Sequence, residues 1–150
     1  MGLRRQAREL ALQVLYQMDF NQMAPERAFD LVCRCFEVAR EPRAFAKLLV
    51  DGVCLHKEAI DQRLAEASEN WRVERMSSVD RNILRIALYE MFHRDDIPPR
   101  VSINEAIELA KRFGTEDSRS FVNGVLDKLF HTKQQKEDKA APAPPKQSPA

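Results

Sequence analysis

The stretch VDRNILRIALYEMF, at residues 79–92, decides the fold. Isoleucine, leucine and alanine occupy most sides of the helix that this stretch would form, instead of one stripe, which is typical of a helix covered by neighbours. Ser77 stands where its side chain can cap that helix. Asp80 would then take the third helical position, where a negative charge is favourable. We therefore predict a central helix.

Amphipathic segments precede and follow the central stretch. Apolar residues recur at spacings of three and four in five further segments, at residues 3–18, 25–36, 42–64, 103–113 and 122–129. Ser102 and Glu105 have the spacing of a capping box, so the fifth helix is predicted to begin at Ser102. Gly114 is expected to end it in the left-handed conformation. No segment alternates strictly enough to predict a strand, so the sequence indicates an all-α fold of six helices.

The composition excludes several classes of protein. A chain of 150 residues, 44% of them hydrophobic, is one ordinary domain that needs no disulfide or metal to fold. With 24 Lys and Arg against 23 Asp and Glu, any nucleic-acid site must be a local patch rather than bulk charge. The odd number of cysteines, without a signal peptide, and the lack of a long apolar run predict a cytoplasmic protein with no membrane span.

Sequence motifs for catalysis are missing. The chain has no GxSxG, GxxxxGK[ST] or GxGxxG. Cys33 and Cys35 do not have the CxxC spacing, and His56 falls on an apolar stripe, which favours a hydrogen-bonded core histidine over a metal ligand. We predict no active site, no cofactor and no metal, and therefore a binding protein rather than an enzyme.

One predicted outer face of the first helix combines arginines with a leucine and a tyrosine, which is unusual for a solvent-exposed surface. At 100° per residue, Arg4, Arg5 and Arg8 share an arc opposite much of the apolar stripe, and Leu12 and Tyr16 continue it. Cations are mildly unfavourable at the beginning of a helix, so their presence favours an anionic partner such as RNA, with Tyr16 able to stack a base. Solvated surface charge is the alternative.

The turn before the last helix is a second candidate. Residues 115–120 are polar and would begin a helix whose free N–H groups suit a phosphate, although Asp117 and its neighbour Glu116 compete for those groups. Phe121 falls at the edge of the apolar stripe. It either packs in the core or remains half exposed to stack a nucleobase.

Four runs carry a family resemblance: RRQARELALQVLYQ from residue 4, VDRNILRIALYEM from 79, PPRVSINEAIELAKRFG from 98 and SRSFVNGVLDKL from 118. Over residues 3–130 the chain resembles the NusB family of bacterial transcription antitermination factors. The resemblance implies a compact all-α bundle of about six to seven helices in two packed subdomains. It also implies binding of boxA, a single-stranded RNA of ribosomal RNA leaders, as a heterodimer with the ribosomal protein NusE. With NusA and NusG, such a complex modifies RNA polymerase so that it passes terminators.

The resemblance also assigns residues. The RNA-binding positions correspond to Arg4, Arg5, Arg8, Tyr16, Asp117 and Phe121. The side that meets NusE corresponds to Leu12, Tyr16, Asp80, Arg81 and Arg85, with Leu12 expected to be exposed until the partner covers it. Gln6 interrupts the basic run where relatives often carry another arginine, which removes one phosphate contact.

The end of the chain has a different composition. Residues 1–130 are predicted to form the RNA-binding domain, and residues 131–150, rich in Pro, Lys and Ala, a disordered tail. Two alternatives compete with the adaptor. Similar domains precede the catalytic region of some RNA cytosine methyltransferases. Such a region needs a nucleotide-cofactor sheet and a nucleophilic cysteine after a proline, whereas residues 131–150 are predicted to be a disordered tail, so this alternative is not favoured. A homodimeric helical module would instead bury the Leu12 and Tyr16 face against a second copy.

Overall fold

The computed structural model describes residues 2–68 and 72–140. Six α-helices and one short 3-10 turn make up the described fold: α1 (Leu3–Asn21), α2 (Pro25–Cys35), α3 (Arg43–Ala67), the turn Val73–Arg75, α4 (Ser78–His93), α5 (Pro99–Phe113) and α6 (Ser118–Ala140). No strand occurs in these residues, so the all-α prediction is confirmed.

Helix α4 is central, as its sequence predicts. Residues 82–91 are buried on every side, and α4 packs against α1, α3, α5 and α6. The Ser77 hydroxyl accepts a hydrogen bond from the Asp80 N–H at 3.1 Å, which confirms the predicted cap. Helices α1 to α3 pack together, as do α4 to α6, and both groups share one hydrophobic core.

Helix α5 begins and ends differently from the prediction. It starts at Pro99, three residues before Ser102, because a proline is favourable at the first helical position. Ser102 therefore lies inside the first turn and forms no capping box. Gly114 is extended (φ −91°, ψ −173°), not left-handed, and a Cβ there would collide with the Ser118 side chain, so the glycine supplies space for a close approach.

The predicted disordered tail begins too early. Helix α6 continues through residues 131–140 to Ala140. These residues are mainly Lys, Gln, Glu and Ala, which form helices readily, and the first proline comes only at position 142. The rest of the predicted tail, residues 141–150, lies outside the described residues.

Candidate nucleic-acid interface

Arg4 and Arg5, in the first turn of α1, expose about half of their side chains. The guanidinium of Arg5 donates two hydrogen bonds to Glu105 of α5, at 3.0 and 2.9 Å. Arg4 pairs with Asp96, in the loop between α4 and α5, at 3.6 Å and lies over the Phe45 ring at 4.7 Å. Both arginines are therefore on the predicted surface, but each already has an acidic neighbour.

Arg8 is not on that surface. Its side chain is buried, and its Nε and Nη2 each donate to a different carboxylate oxygen of Glu90 in α4 at 2.8 Å. Ser102 of α5 donates its hydroxyl to the same carboxylate at 2.8 Å. The prediction of a solvent-facing Arg8 is wrong because α4 and α5 close over this part of α1.

The carboxylates beside the exposed arginines are held in the charged form. Hydrogen bonding from Arg5, partly opposed by burial, keeps the pKa of Glu105 below its ordinary value. Hydrogen bonding from Arg94 does the same for the pKa of Asp96, and Arg94 approaches it at 2.9 Å. The first turn of α1 therefore faces ionised acids near neutral pH.

An apolar groove lies further along α1. It has a volume of about 290 Å³ and is lined by Leu12, Gln13, Tyr16, Gln17, Val32, Phe36, Val79 and Phe113. Leu12 is buried at its base, so the expectation that Leu12 is exposed is wrong. Tyr16 is exposed, and its ring stacks on that of Phe20 with centroids 6.1 Å apart.

The sequence analysis missed two exposed aromatic residues: Phe36, which lines this groove, and Phe20, which stacks on Tyr16 beside it. Phe36 was assigned to the apolar stripe of the second helix, yet it is 62% exposed. Helix α2 ends at Cys35, so Phe36 no longer follows the helical period. Phe20, which is 73% exposed, lies in the last turn of α1, beyond the predicted end of that helix.

Two arginines of α4 bind acids within the protein. Arg85 is buried and donates to both carboxylate oxygens of Asp61 at 2.8 and 2.9 Å, so its prediction as a partner contact is wrong. Arg81 is half-buried and donates to Asp19 of α1 at 3.0 Å. Burial works to raise the pKa of Asp19, but hydrogen bonds from Asn82 and Arg81 hold it below its ordinary value.

Asp80, on the same helix as these two arginines, has one carboxylate oxygen to which no described residue donates a hydrogen bond. Its side chain is half-buried beside Val79, which lines the apolar groove. Its Oδ1 atom is buried and has no hydrogen-bond partner within the described part of the chain. A buried acceptor without a partner is unfavourable, so Oδ1 of Asp80 is a local cost to stability.

Two predicted RNA-binding residues near the start of α6, Asp117 and Phe121, differ in their exposure to solvent. Asp117 is exposed. Phe121 is half-buried and packs against the hydrophobic core, which combines the two alternatives left open by the sequence. The Thr115 N–H in this turn donates to the Ser118 hydroxyl at 2.9 Å.

The described part of the chain offers little for other chemistry. It has no group of three or more His, Cys, Asp or Glu side chains arranged to hold a metal ion, and none of its helices is long and apolar enough to cross a membrane. His56 is half-buried and stacks on His93, with ring centroids 3.7 Å apart.

Comparison with known proteins gives a consistent result. The profile of the NusB family matches residues 5–131. The transcription antitermination protein NusB of Desulforudis audaxviator is 52% identical over 126 residues, which cover 84% of this chain and 91% of that protein.

Two solved structures share the fold. NusB of T. maritima is 35% identical with a TM-score of 0.79, over 89% of this chain and 96% of that one. A chain in the crystal structure of antitermination factors NusB and NusE in complex with double-stranded RNA is 28% identical, with a TM-score of 0.80, over 88% of this chain and 98% of that one.

The fold and the site define an all-α binding protein with an arginine-bearing helix end and an apolar groove on the same helix. The chain belongs to the NusB family of transcription antitermination proteins. Membership of this RNA-binding family confirms the prediction that the chain is not an enzyme.

Proposed function

We propose that this protein binds boxA single-stranded RNA in ribosomal RNA leaders as a heterodimer with the ribosomal protein NusE. The observation that carries the proposal is that α1 has two different surfaces along its length. Half-exposed Arg4 and Arg5 occupy its first turn, and the apolar groove around Tyr16 lies two to three turns further along. One rigid helix thus presents an anion-binding end and an apolar docking surface.

Arg4 and Arg5 are the proposed phosphate contacts. Arginine contacts to phosphate and aromatic stacking on splayed bases are the usual means of binding single-stranded RNA. Phe121 and Asp117, at the start of α6, are proposed to lie near the bases, with the half-buried Phe121 ring as the stacking surface. Arg8 is left out of the contact set because its guanidinium is buried against Glu90.

The apolar groove is the proposed site for NusE. Tyr16 and Phe36 expose aromatic surface in the groove, and Phe20 extends this surface by stacking on Tyr16. Contiguous apolar surface of this kind is typical of protein interfaces. Asp80 and Arg81 follow the groove residue Val79 on α4 and are proposed to lie near the partner, with Arg81 remaining paired with Asp19.

The two surfaces explain why a partner is needed. With a net charge of +1 and acids beside both exposed arginines, the free protein is expected to bind RNA weakly. A basic ribosomal protein adds positive charge and contact area, so binding is cooperative. The complex is proposed to act in the cytoplasm with NusA and NusG on RNA polymerase, so that the polymerase passes terminators and completes ribosomal RNA.

Fluorescence anisotropy with a labelled boxA strand, with and without NusE, tests the proposal. We expect weak binding by the protein alone and much tighter binding with NusE. An unlabelled duplex of the same sequence should compete poorly with the single strand. Absence of binding even with NusE would refute the proposal, and equal competition by the duplex would refute its single-stranded part.

The arginines can be tested by salt dependence. The double variant Arg4→Ala, Arg5→Ala should reduce the log–log slope of affinity against salt by about 1.4, at roughly 0.7 per phosphate contact on a single strand. Arg34→Ala is a matched control, because Arg34 is an exposed helical arginine paired with Asp30 at 2.7 Å. An equal effect of the control would locate the RNA elsewhere.

A second copy of the chain is the competing occupant of the apolar groove, since the same exposed aromatic residues would suit self-association. Light scattering during size-exclusion chromatography distinguishes the two. A monomer that forms a one-to-one complex with NusE supports the heterodimer. A dimer that NusE and RNA leave intact supports the homodimeric module.

A further inference from the structure

Two carboxylates compete directly with RNA for the exposed arginines. Glu105 occupies two donors of Arg5, at 3.0 and 2.9 Å. Asp96, in the loop between α4 and α5, lies 3.6 Å from Arg4 and 2.9 Å from Arg94. A phosphate that approaches Arg4 or Arg5 therefore finds each guanidinium already beside a negative charge.

These two pairs are not what holds the helices together. Arg8 and Glu90 already join α1 to α4 inside the core, and Ser102 adds α5 to the same junction. Exposed ion pairs contribute little to stability, because water and salt screen them. The main consequence of Asp96 and Glu105 is therefore electrostatic and falls on whatever binds the arginines.

We propose that Glu105 and Asp96 set the RNA affinity of the free protein, because each phosphate contact at Arg5 or Arg4 requires an exchange of ion-pair partners. This inference rests on the proposed RNA-binding function. The carboxylate must move away or remain close to the phosphate, and both outcomes weaken binding. Since phosphates carry no sequence information, the effect applies to any RNA strand.

The carboxylates stay ionised under the conditions in which RNA binds. Hydrogen bonding from Arg5 lowers the pKa of Glu105, and hydrogen bonding from Arg94 lowers the pKa of Asp96. A change of pH near neutrality therefore does not release the arginines, whereas a second protein that supplies positive charge would offset the acids. This accounts for a dependence on a basic partner without any change of fold.

Anisotropy with labelled oligouridine and with a labelled boxA strand tests the inference in the full chain. Glu105→Gln should tighten binding of both strands by about 1.4-fold to fivefold, the range of an exposed ion pair. The salt slope should change little, because the same single phosphate contact at Arg5 forms in both proteins. Asp30→Asn is the matched control, since Asp30 is an exposed acid on another helix, α2, and its ion pair is with Arg34 at 2.7 Å.

Two further variants make the result decisive. Asp96→Asn, in an exposed loop, should give a similar gain through Arg4 even if Glu105→Gln disturbs packing. Adding Arg5→Ala to Glu105→Gln should abolish the gain. Three results would overturn the inference: no gain in affinity in both Glu105→Gln and Asp96→Asn, an equal gain in Asp30→Asn, or a gain that survives the loss of Arg5.

The failure of this inference is distinguishable from failure of the proposed function. If the wild-type protein with NusE binds RNA and the Arg4, Arg5 double variant weakens it, the function stands. Unchanged affinity in Glu105→Gln and Asp96→Asn then overturns only the role of the carboxylates. If no variant and no partner yields RNA binding, both fail together.

Discussion

Two ion pairs of nearly the same geometry join α1 to its neighbours, one inside the protein and one at its surface. Arg8 and Glu90 meet through two hydrogen bonds of 2.8 Å, with 4% and 1% of their side chains exposed. Arg5 and Glu105 meet through two bonds of 3.0 and 2.9 Å, with 44% and 17% exposed. The chemistry and geometry are alike, so burial is what differs.

Burial assigns the two arginines to different roles. A buried charge has lost its water and cannot exchange its partner without leaving the other charge unpaired in the core. An exposed charge exchanges partners readily, because water and salt compensate for each loss. Arg8 therefore stabilises the fold, whereas Arg5, three residues earlier on the same helix, is free to contact a ligand.

The largest expected effect comes from breaking the buried pair. Arg8→Ala leaves Glu90 buried without its charged partner, which should lower the free energy of unfolding by about 3–5 kcal/mol. Urea denaturation followed by circular dichroism measures it, with Glu108→Ala as a surface control. A loss no greater than that of the control would mean that Arg8 is accessible after all.

Replacing both partners of the buried pair should be milder than removing one. The double variant Arg8→Met, Glu90→Leu leaves no unpaired charge, and apolar replacements of buried pairs are often neutral or stabilising. Ser102 would lose its acceptor, at a cost of about 1 kcal/mol. We expect recovery of at least about 2 kcal/mol relative to Arg8→Ala. A double variant as unstable as Arg8→Ala would show that packing, not charge, dominates this site.

The same pair shows where prediction from sequence ends. Periodicity placed the helices correctly, because the apolar stripe of each is a local property of the chain. It put Arg8, Leu12 and Tyr16 on one outer arc, but only Tyr16 remains exposed. Whether a neighbouring helix covers the polar side of α1 depends on tertiary packing, which the spacing of α1 does not contain.

The remaining errors have the same origin. The resemblance placed Arg85 on the side of α4 that meets the partner, yet Arg85 is paired with Asp61 of α3 inside the protein. Ser102 had the spacing of a cap, but Pro99 starts the helix earlier and Ser102 instead meets Glu90. The available signal for Glu90 was its place within the otherwise apolar run at residues 86–92 of α4, because a buried acid needs a buried cation.

Breaking the exposed pair should change RNA binding while having little effect on stability. Arg5→Ala should lower the free energy of unfolding by no more than about 0.5 kcal/mol, which is small beside the roughly 3–5 kcal/mol expected for Arg8→Ala. The salt slope of RNA binding should nevertheless fall by about 0.7, since one phosphate contact is lost. Urea denaturation and anisotropy on the same preparation check both. A loss of stability comparable to that of Arg8→Ala would remove the distinction between the two pairs.

The smallest expected effect is the pH dependence of the exposed pair. Hydrogen bonding from Arg5 lowers the pKa of folded Glu105, so the folded state releases its proton more readily than the unfolded state does. The stabilisation is therefore complete above the ordinary glutamate pKa of about 4.3 and disappears as the pH falls through the lower folded value. Unfolding of wild type and Glu105→Gln should differ by about 0.5 kcal/mol at neutral pH and converge in acid. A difference that persists or grows in acid would mean that Glu105 acts through packing, and the pair would then resemble the buried one.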